Sequence, residues 1–92
     1  MDKENEHKIT NKDLIDRAIT LADLNNDEAV QIVGLKGDDV SKRRLMALGI
    51  VRGKEISLET QAPMGDPRIY SILGYRLTIR NDDAQKILVT TL

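Results

Sequence analysis

The feature that most constrains the fold of this chain is a strict alternation of apolar and polar residues. Between residues 55 and 62, Ile56, Leu58 and Thr60 are each separated by one polar residue. Residues 75–80 repeat the pattern. A period of two places successive side chains on opposite faces of an extended chain. Each segment therefore predicts a strand with one buried face.

Three further segments predict strands. They are residues 28–35, which stop at a polar turn over 36–39, then Arg68–Leu73, which stops at Gly74, and Ile87–Val89. About five short strands in 92 residues must hide their edges and share one aliphatic core. We therefore expect a mainly β fold, a closed or nearly closed small barrel, with one helix inserted between the first and second strands.

The inserted helix has clear start and stop signals. Asp39 or Ser41 can accept hydrogen bonds from the first free N–H groups of the helix. Gly49 stands where a left-handed residue ends a helix, because glycine adopts positive φ without strain. The predicted apolar stripe consists of Leu45, Met46 and Leu48.

The N-terminal part of the chain differs from the rest in charge and pattern. Residues 1–9 are charged and lack periodicity, which predicts a partly disordered leader, and residues 10–19 have the apolar spacing of a short helix. One more helical turn is predicted over residues 21–24. Residues 1–30 carry a net charge of −4 and residues 31–92 a net charge of +3. We divide the chain into a leader, 1–19, and a barrel domain, 20–92.

Composition argues against several function classes. The chain has no Cys and one His, His7, so neither a thiol nucleophile nor a typical iron or zinc ligand set is expected, and no catalytic residue or cofactor is predicted. A net charge of −1 argues against nucleic-acid binding. Two tyrosines are too few for an aromatic groove that binds proline-rich peptides. The polar N-terminus and the absence of a long apolar run argue against a signal peptide or membrane insertion.

Four cations form the first candidate contact surface. Lys42, Arg43 and Arg44 are adjacent on the predicted helix, and Arg52 follows it. A solvated helix face is one interpretation, and a docking patch for an acidic partner is the other. Adjacent helical residues point about 100° apart, so the three do not form one compact cluster.

The connection Ala62–Pro67 is the second candidate surface. Pro63, Gly65 and Pro67 fix the direction of the chain and predict a rigid turn between two strands. Met64 and Asp66 are candidate contacts if the turn is presented to a partner. A Met64 that folds back on the barrel is an equally ordinary outcome.

These segments resemble the ferrous iron transport protein A (FeoA) family. Residues 44–53, RLMALGIVRG, resemble the family's RLxxLGhxxG segment, in which h is hydrophobic, and residues 62–67, APMGDP, resemble its APxGDP turn. The closing strand, helical turn and strand after Tyr75 also match. The resemblance implies an SH3-like barrel. The matched positions that we expect to be structural are Leu45, Leu48, Gly49, Gly53, Pro63, Gly65 and Pro67.

The resemblance also implies a function. Family members are cytoplasmic accessories of the bacterial ferrous iron transporter FeoB, and contact with its cytosolic G-protein part is the usual proposal. Because ligands for iron are scarce here, we expect the link to iron to run through this partner, with membrane association only by way of it. The expected contacts are Lys42, Arg43, Arg44, Arg52, Met64 and Asp66. The alternative is a stand-alone regulatory module like the C-terminal SH3-like domain of metal-dependent transcriptional repressors.

Overall fold

The computed structural model describes residues 10–25, 27–61 and 63–92. Within these ranges the α-helices are α1 (Asn11–Arg17), α2 (Asp39–Ala47) and α3 (Asn81–Ala84). The strands there are β1 (Ile19–Thr20), β2 (Val30–Leu35), β3 (Glu55–Gln61), β4 (Arg68–Ile72), β5 (Tyr75–Ile79) and β6 (Ile87–Thr91). A turn of 3₁₀ helix, Leu21–Asp23, follows β1. The predicted disorder of residues 1–9 and the predicted strand end at Ala62 lie outside the described residues.

The strands form one antiparallel sheet in the order β1-β6-β2-β3-β4-β5. Hydrogen bonds do not join β1 to β5, the strands at the two ends, so the sheet is barrel-like but open. The mainly β, SH3-like prediction with α2 inserted between β2 and β3 is confirmed. The boundary between a leader and a barrel domain at residues 19 and 20 stays a prediction.

The sequence did not predict β1. The helix expected over residues 10–19 begins after a capping box between Thr10 and Asp13, but it ends at Arg17. Ile19 instead pairs with Val89 of β6. Two residues are too few to show a period of two, and the pairing with β6 overrides the helical spacing. The helical prediction for Ile19 is therefore wrong.

The start of α2 lies one residue earlier than predicted. Asp38, rather than Asp39 or Ser41, is the N-cap, and its Oδ1 accepts a hydrogen bond from the Ser41 backbone N–H at 2.8 Å. Two of the three residues in the predicted apolar stripe are also not buried against the barrel. Leu45 is 1% exposed, whereas Met46 is 45% and Leu48 41% exposed. The helix contacts the barrel along a narrow line through Ser41 and Leu45, so that apolar residues on either side of this line remain partly in solvent.

The end of α2 depends on Gly49. Its φ is +96°, the left-handed conformation that the sequence predicted. A Cβ at this position would lie 2.7 Å from the Tyr75 Oη and 2.9 Å from the Leu73 Cδ1. The Tyr75 hydroxyl donates a hydrogen bond to the Leu48 carbonyl, so the end of the helix is held against the β4–β5 hairpin. Gly49 therefore meets both a backbone and a packing requirement.

The β4–β5 hairpin turns over two residues. Leu73 and Gly74 both have positive φ, +54° and +82°, as a type I′ turn requires. The predicted strand through Leu73 is one residue too long for this reason.

Inside the sheet lies one continuous apolar core. Its buried members are Leu21, Leu24, Val30, Ile32, Leu45, Ile50, Ile56, Leu58, Tyr70, Ile72, Ile79, Ala84, Ile87 and Val89.

Arg68 on β4 closes the open side of the barrel. The residue is only 7% exposed. Its guanidinium donates hydrogen bonds to the carbonyls of Leu21 at 3.4 Å, Ala22 at 3.2 Å, and Leu24. It also donates to the Tyr70 hydroxyl, whose pKa is raised by burial, so the phenol accepts this bond in its neutral form. The segment after β1 is thus tied to β4, which is the neighbour of the last strand in the sheet.

Replacing Arg68 with methionine should destabilise the fold strongly. The variant keeps an apolar side chain but removes the donor from three backbone carbonyls, and an unsatisfied buried group costs roughly 1–3 kcal/mol. We expect the free energy of unfolding, measured by urea denaturation, to fall by about 2–5 kcal/mol. The control, Arg80→Met, removes an exposed arginine and should change it by less than about 0.5 kcal/mol. Equal losses in the two variants would contradict the role of Arg68 in closure.

Two glycine variants separate backbone strain from packing. Gly49 and Gly53 have similar φ values, +96° and +93°, but a Cβ on Gly53 meets no atom within 4 Å. Alanine at either position should cost about 1–2 kcal/mol in backbone strain. Gly49→Ala should lose about 1–3 kcal/mol more, because its Cβ collides with the hairpin. Thermal unfolding of both variants measures this difference, and identical losses would show that the close approach is unimportant.

The cap at Asp38 should make stability depend on pH. Hydrogen bonds from Ser41 hold the pKa of the Asp38 carboxyl below its ordinary value in the folded state. A lowered folded pKa gives a stabilisation that is complete above the unfolded-state pKa and is lost as pH falls through the folded pKa. The difference in melting temperature between the wild type and Asp38→Ala should therefore shrink as pH falls into the acidic range. A difference that stays constant from neutral to acidic pH would mean that the charge of the cap contributes nothing.

Candidate functional site

The three adjacent cations of α2 diverge around the helix axis. Ser41 and Leu45 are the residues of α2 that are buried against the barrel. Because successive helical residues are about 100° apart, Lys42 lies on one flank, Arg43 points away from the barrel and Arg44 lies on the other flank. In the observed helix the three cations therefore do not form one compact cluster, as the sequence predicted.

Arg44 is engaged within the molecule. Its Nη2 lies 2.6 Å from the Asp83 Oδ1 on α3. Lys86 approaches the same carboxylate at 4.0 Å and donates to the Ser41 hydroxyl at 3.2 Å. These contacts join the start of α3 to one flank of α2. Arg44 therefore has a structural role on that flank.

The opposite flank of α2 borders a groove. Its lining residues, which we call the α2 groove, are Gly34, Leu35, Lys42, Met46, Val51 and Arg52. The groove has a volume of about 320 Å³ and is open to solvent. Two of the predicted contact residues, Lys42 and Arg52, are brought together here, although they are separated along the chain by the end of the helix.

The sequence contained a weak signal for a bulge in the strand beside this groove. Gly34 interrupts β2, and the register with β6 shifts between Ile32 and Gly34. A glycine inside a strand often marks a bulge or a place that another group approaches closely. The position had been interpreted only as part of a strand. Met46 had been predicted only as part of the apolar stripe of the helix, since periodicity does not show how wide a contact a helix makes with the barrel.

The connection between β3 and β4 presents one of its two candidate residues. Met64 is 90% exposed, so of the two alternatives the presented side chain is observed. Asp66 is engaged instead, because its Oδ1 accepts a hydrogen bond from the Asn81 N–H at 3.0 Å at the start of α3. Arg80 occupies the N-cap position of this helix. The Asn81 side chain donates to the Gly65 carbonyl at 3.4 Å.

The predicted contact residues therefore fall into separate groups. Arg44 and Asp66 both contact α3. Lys42 and Arg52 line the α2 groove, and Arg43 lies on the exposed face of α2. Met64 stands alone at the tip of the β3–β4 connection. The structure does not gather these residues into one site.

Metal ligands do not converge in the part of the chain that the structure describes. Among residues 10–25, 27–61 and 63–92, no three His, Cys, Asp or Glu residues come together in a way that could hold a metal ion. Asp83, one member of an acidic pair, is matched by Arg44 and Lys86. His7 lies outside the described residues. Across the described ranges, the helices are all too short or too polar to cross a membrane.

Comparison with known proteins places these features in a family. The FeoA domain family model matches residues 19–91. A curated fusion protein of Fe(2+) transport protein A and Fe(2+) transporter FeoB from Porphyromonas gingivalis is 36% identical over 69 residues. The alignment covers 75% of this chain and 8% of the fusion protein, so the chain corresponds to a small part of that relative.

Solved structures show the same fold. A FeoA-like protein from Clostridium acetobutylicum is 39% identical with a TM-score of 0.76, and the match covers 82% of this chain and 87% of that one. FeoA from Stenotrophomonas maltophilia, described as a prokaryotic SH3 domain protein and solved with zinc, is 26% identical with a TM-score of 0.68. That match covers 79% of this chain and 91% of the other.

A manganese-dependent transcriptional repressor also shares the fold. Its TM-score is 0.75 at 17% identity, and the match covers 83% of this chain and 37% of the repressor. This likeness concerns the fold alone. The family model, in contrast, matches most of the chain, including the segment at 44–53 and the turn at 62–67. The chain therefore belongs to the FeoA domain family, which the fusion with FeoB links to ferrous iron transport.

Proposed function

We propose that this chain is a non-enzymatic, cytoplasmic accessory of ferrous iron transport that docks onto the cytosolic part of a FeoB transporter. The observation that carries the proposal is the relative that joins the two proteins in one chain. Joining two domains holds them at a high effective concentration and so favours their contact. We infer that the same contact is made here by docking.

The exposed face of α2 and the α2 groove beside it form the proposed docking surface. Met46 is an exposed apolar side chain between the cations Lys42 and Arg43, and Arg52 borders the same groove. Methionine and arginine are enriched in protein interfaces, where an apolar centre is ringed by polar groups. Arg44 and Asp66 contribute indirectly, because they position α3 against α2. Met64 is a second, separate contact in this proposal.

A stand-alone regulatory module is the second candidate. The observation that favours it is the shared fold with a manganese-dependent repressor. At 17% identity this supports a common architecture without a common partner. The fusion relative makes the transporter the better-supported partner.

Titration with the cytosolic domain of FeoB from the same organism tests the proposal. We expect the amide signals of residues 42, 43, 46 and 52 in the isotopically labelled chain to shift or broaden saturably. Reversing the charge with Arg43→Glu should weaken binding about tenfold, because the carboxylate introduced at the interface then repels an acidic partner.

The matched control for this titration is Arg80→Glu, which makes the same change at an exposed residue outside the proposed docking surface and should bind like the wild type. Two results would contradict the proposal. One is the absence of any spectral change at saturating concentrations of the FeoB domain. The other is an equal loss of affinity in the Arg43 and Arg80 variants, since binding would then depend on overall charge.

A further inference from the structure

We infer that the α2 groove takes an acidic amphipathic segment of a partner protein, in which an apolar side chain stands beside carboxylates. The inference deepens the proposed function and rests on it for the identity of that partner. It names the chemistry that the groove recognises, which neither the family nor the fold specifies.

The shape of the groove suits a side chain. Gly34 lines the groove through its backbone, since a Cβ at this position would face Leu88 and Ile15. Leu35 and Val51 are half-buried apolar residues that line the same space. The volume of about 320 Å³ lies at the lower end of the range of small-molecule pockets. Because the groove is also open to solvent, it fits a side chain on a passing segment better than an enclosed ligand.

The apolar lining is available to a partner. Met46 is 45% exposed and lies at the edge of the groove. Methionine is unbranched and flexible, so it can adjust to the shape of an incoming apolar group. A partner that covers Met46 would remove an apolar side chain from water, which is the main favourable term in association. An apolar side chain is therefore the required part of the occupant.

The positive charge of the groove determines which residues should flank the partner's apolar side chain. Lys42 and Arg52 both line it, and both are cations. Among the described residues, Lys42 forms no ion pair. Residues 31–92 as a whole carry a net charge of +3. Carboxylates beside the apolar group would complement this surface, whereas a basic segment would be repelled.

Binding of synthetic peptides to the full-length chain tests this chemistry. The probe is an acetylated peptide of sequence Glu-Leu-Glu-Glu-Leu-Glu, and its binding is followed by the methyl NMR signals of Leu35, Met46 and Val51. We expect these signals to shift saturably. A peptide with serine in place of leucine and one with lysine in place of glutamate should each bind at least about tenfold more weakly.

Variants of the chain locate the site. Met46→Glu and Lys42→Glu should each weaken the acidic peptide about tenfold or more. The control for the first is Val40→Glu, since Val40 is 70% exposed on the same helix but outside the groove, and a carboxylate in the first helical turn is favourable. The control for the second is Arg80→Glu. Both controls should bind like the wild type.

Several results would overturn the inference. Equal binding of the leucine and serine peptides would reveal nonspecific attraction of anions. Affinity that rises after Asp2, Glu4 and Glu6 are changed to their amides would make the acidic N-terminus of this chain the occupant. Methyl signals that move on dilution without peptide would indicate a second copy of the chain.

Different results would contradict the inference about the groove and the proposed function. If the peptide leaves the groove methyl signals unchanged while the FeoB cytosolic domain still binds the chain, the groove inference is wrong and the proposed function stands. If the peptide binds as expected but the FeoB domain does not, the proposed partner is wrong and the chemistry of the groove stands.

Discussion

The fold depends on one buried guanidinium. The sheet leaves β1 and β5 unjoined at its two ends, and Arg68 spans this opening from β4 to the carbonyls after β1. A charged group can lie in such a place because a guanidinium has several donors in a fixed fork and each can be satisfied. The apolar core behind it is thereby enclosed without a further strand. The buried charge of Arg68 would be costly if it were unsatisfied, but in this place it completes the barrel.

The enclosed barrel gives α2 two unlike flanks. On one flank, Arg44 and Lys86 meet Asp83, which links α3 to α2. On the other flank, Lys42 and Met46 border an open groove. The described ion pair of the helix therefore lies on the flank that faces α3. Met46, an exposed apolar side chain of the helix, lies on this groove flank, and for that reason we propose the groove flank as the docking surface.

Local rules accounted for much of the architecture. Alternation located β3 and β5, and Gly49 marked the end of α2, because strand faces and left-handed caps are set by neighbouring residues. Long-range contacts were beyond such rules. Ile19 is a strand residue only because β6 lies beside it, and Arg44 pairs with a residue 39 positions away.

The candidate site was predicted less well for the same reason. Lys42 and Arg52 could be named from the sequence, but the side chain between them, Met46, had been predicted only as part of the apolar stripe of the helix. Hydrophobic spacing identifies an apolar flank and cannot show how much of it the barrel covers. The burial of Arg68 could not be predicted, since one arginine at the start of a strand is ordinarily exposed.

Site-specific photo-cross-linking in cells tests the central claim, that the chain works by docking its α2 face onto FeoB. A photoreactive residue at Ala47, which is exposed on α2, should give a covalent adduct with FeoB after illumination. The same residue at Thr78, exposed on β5, should give none. An adduct at Thr78 with none at Ala47, or no FeoB adduct from either position, would contradict the account.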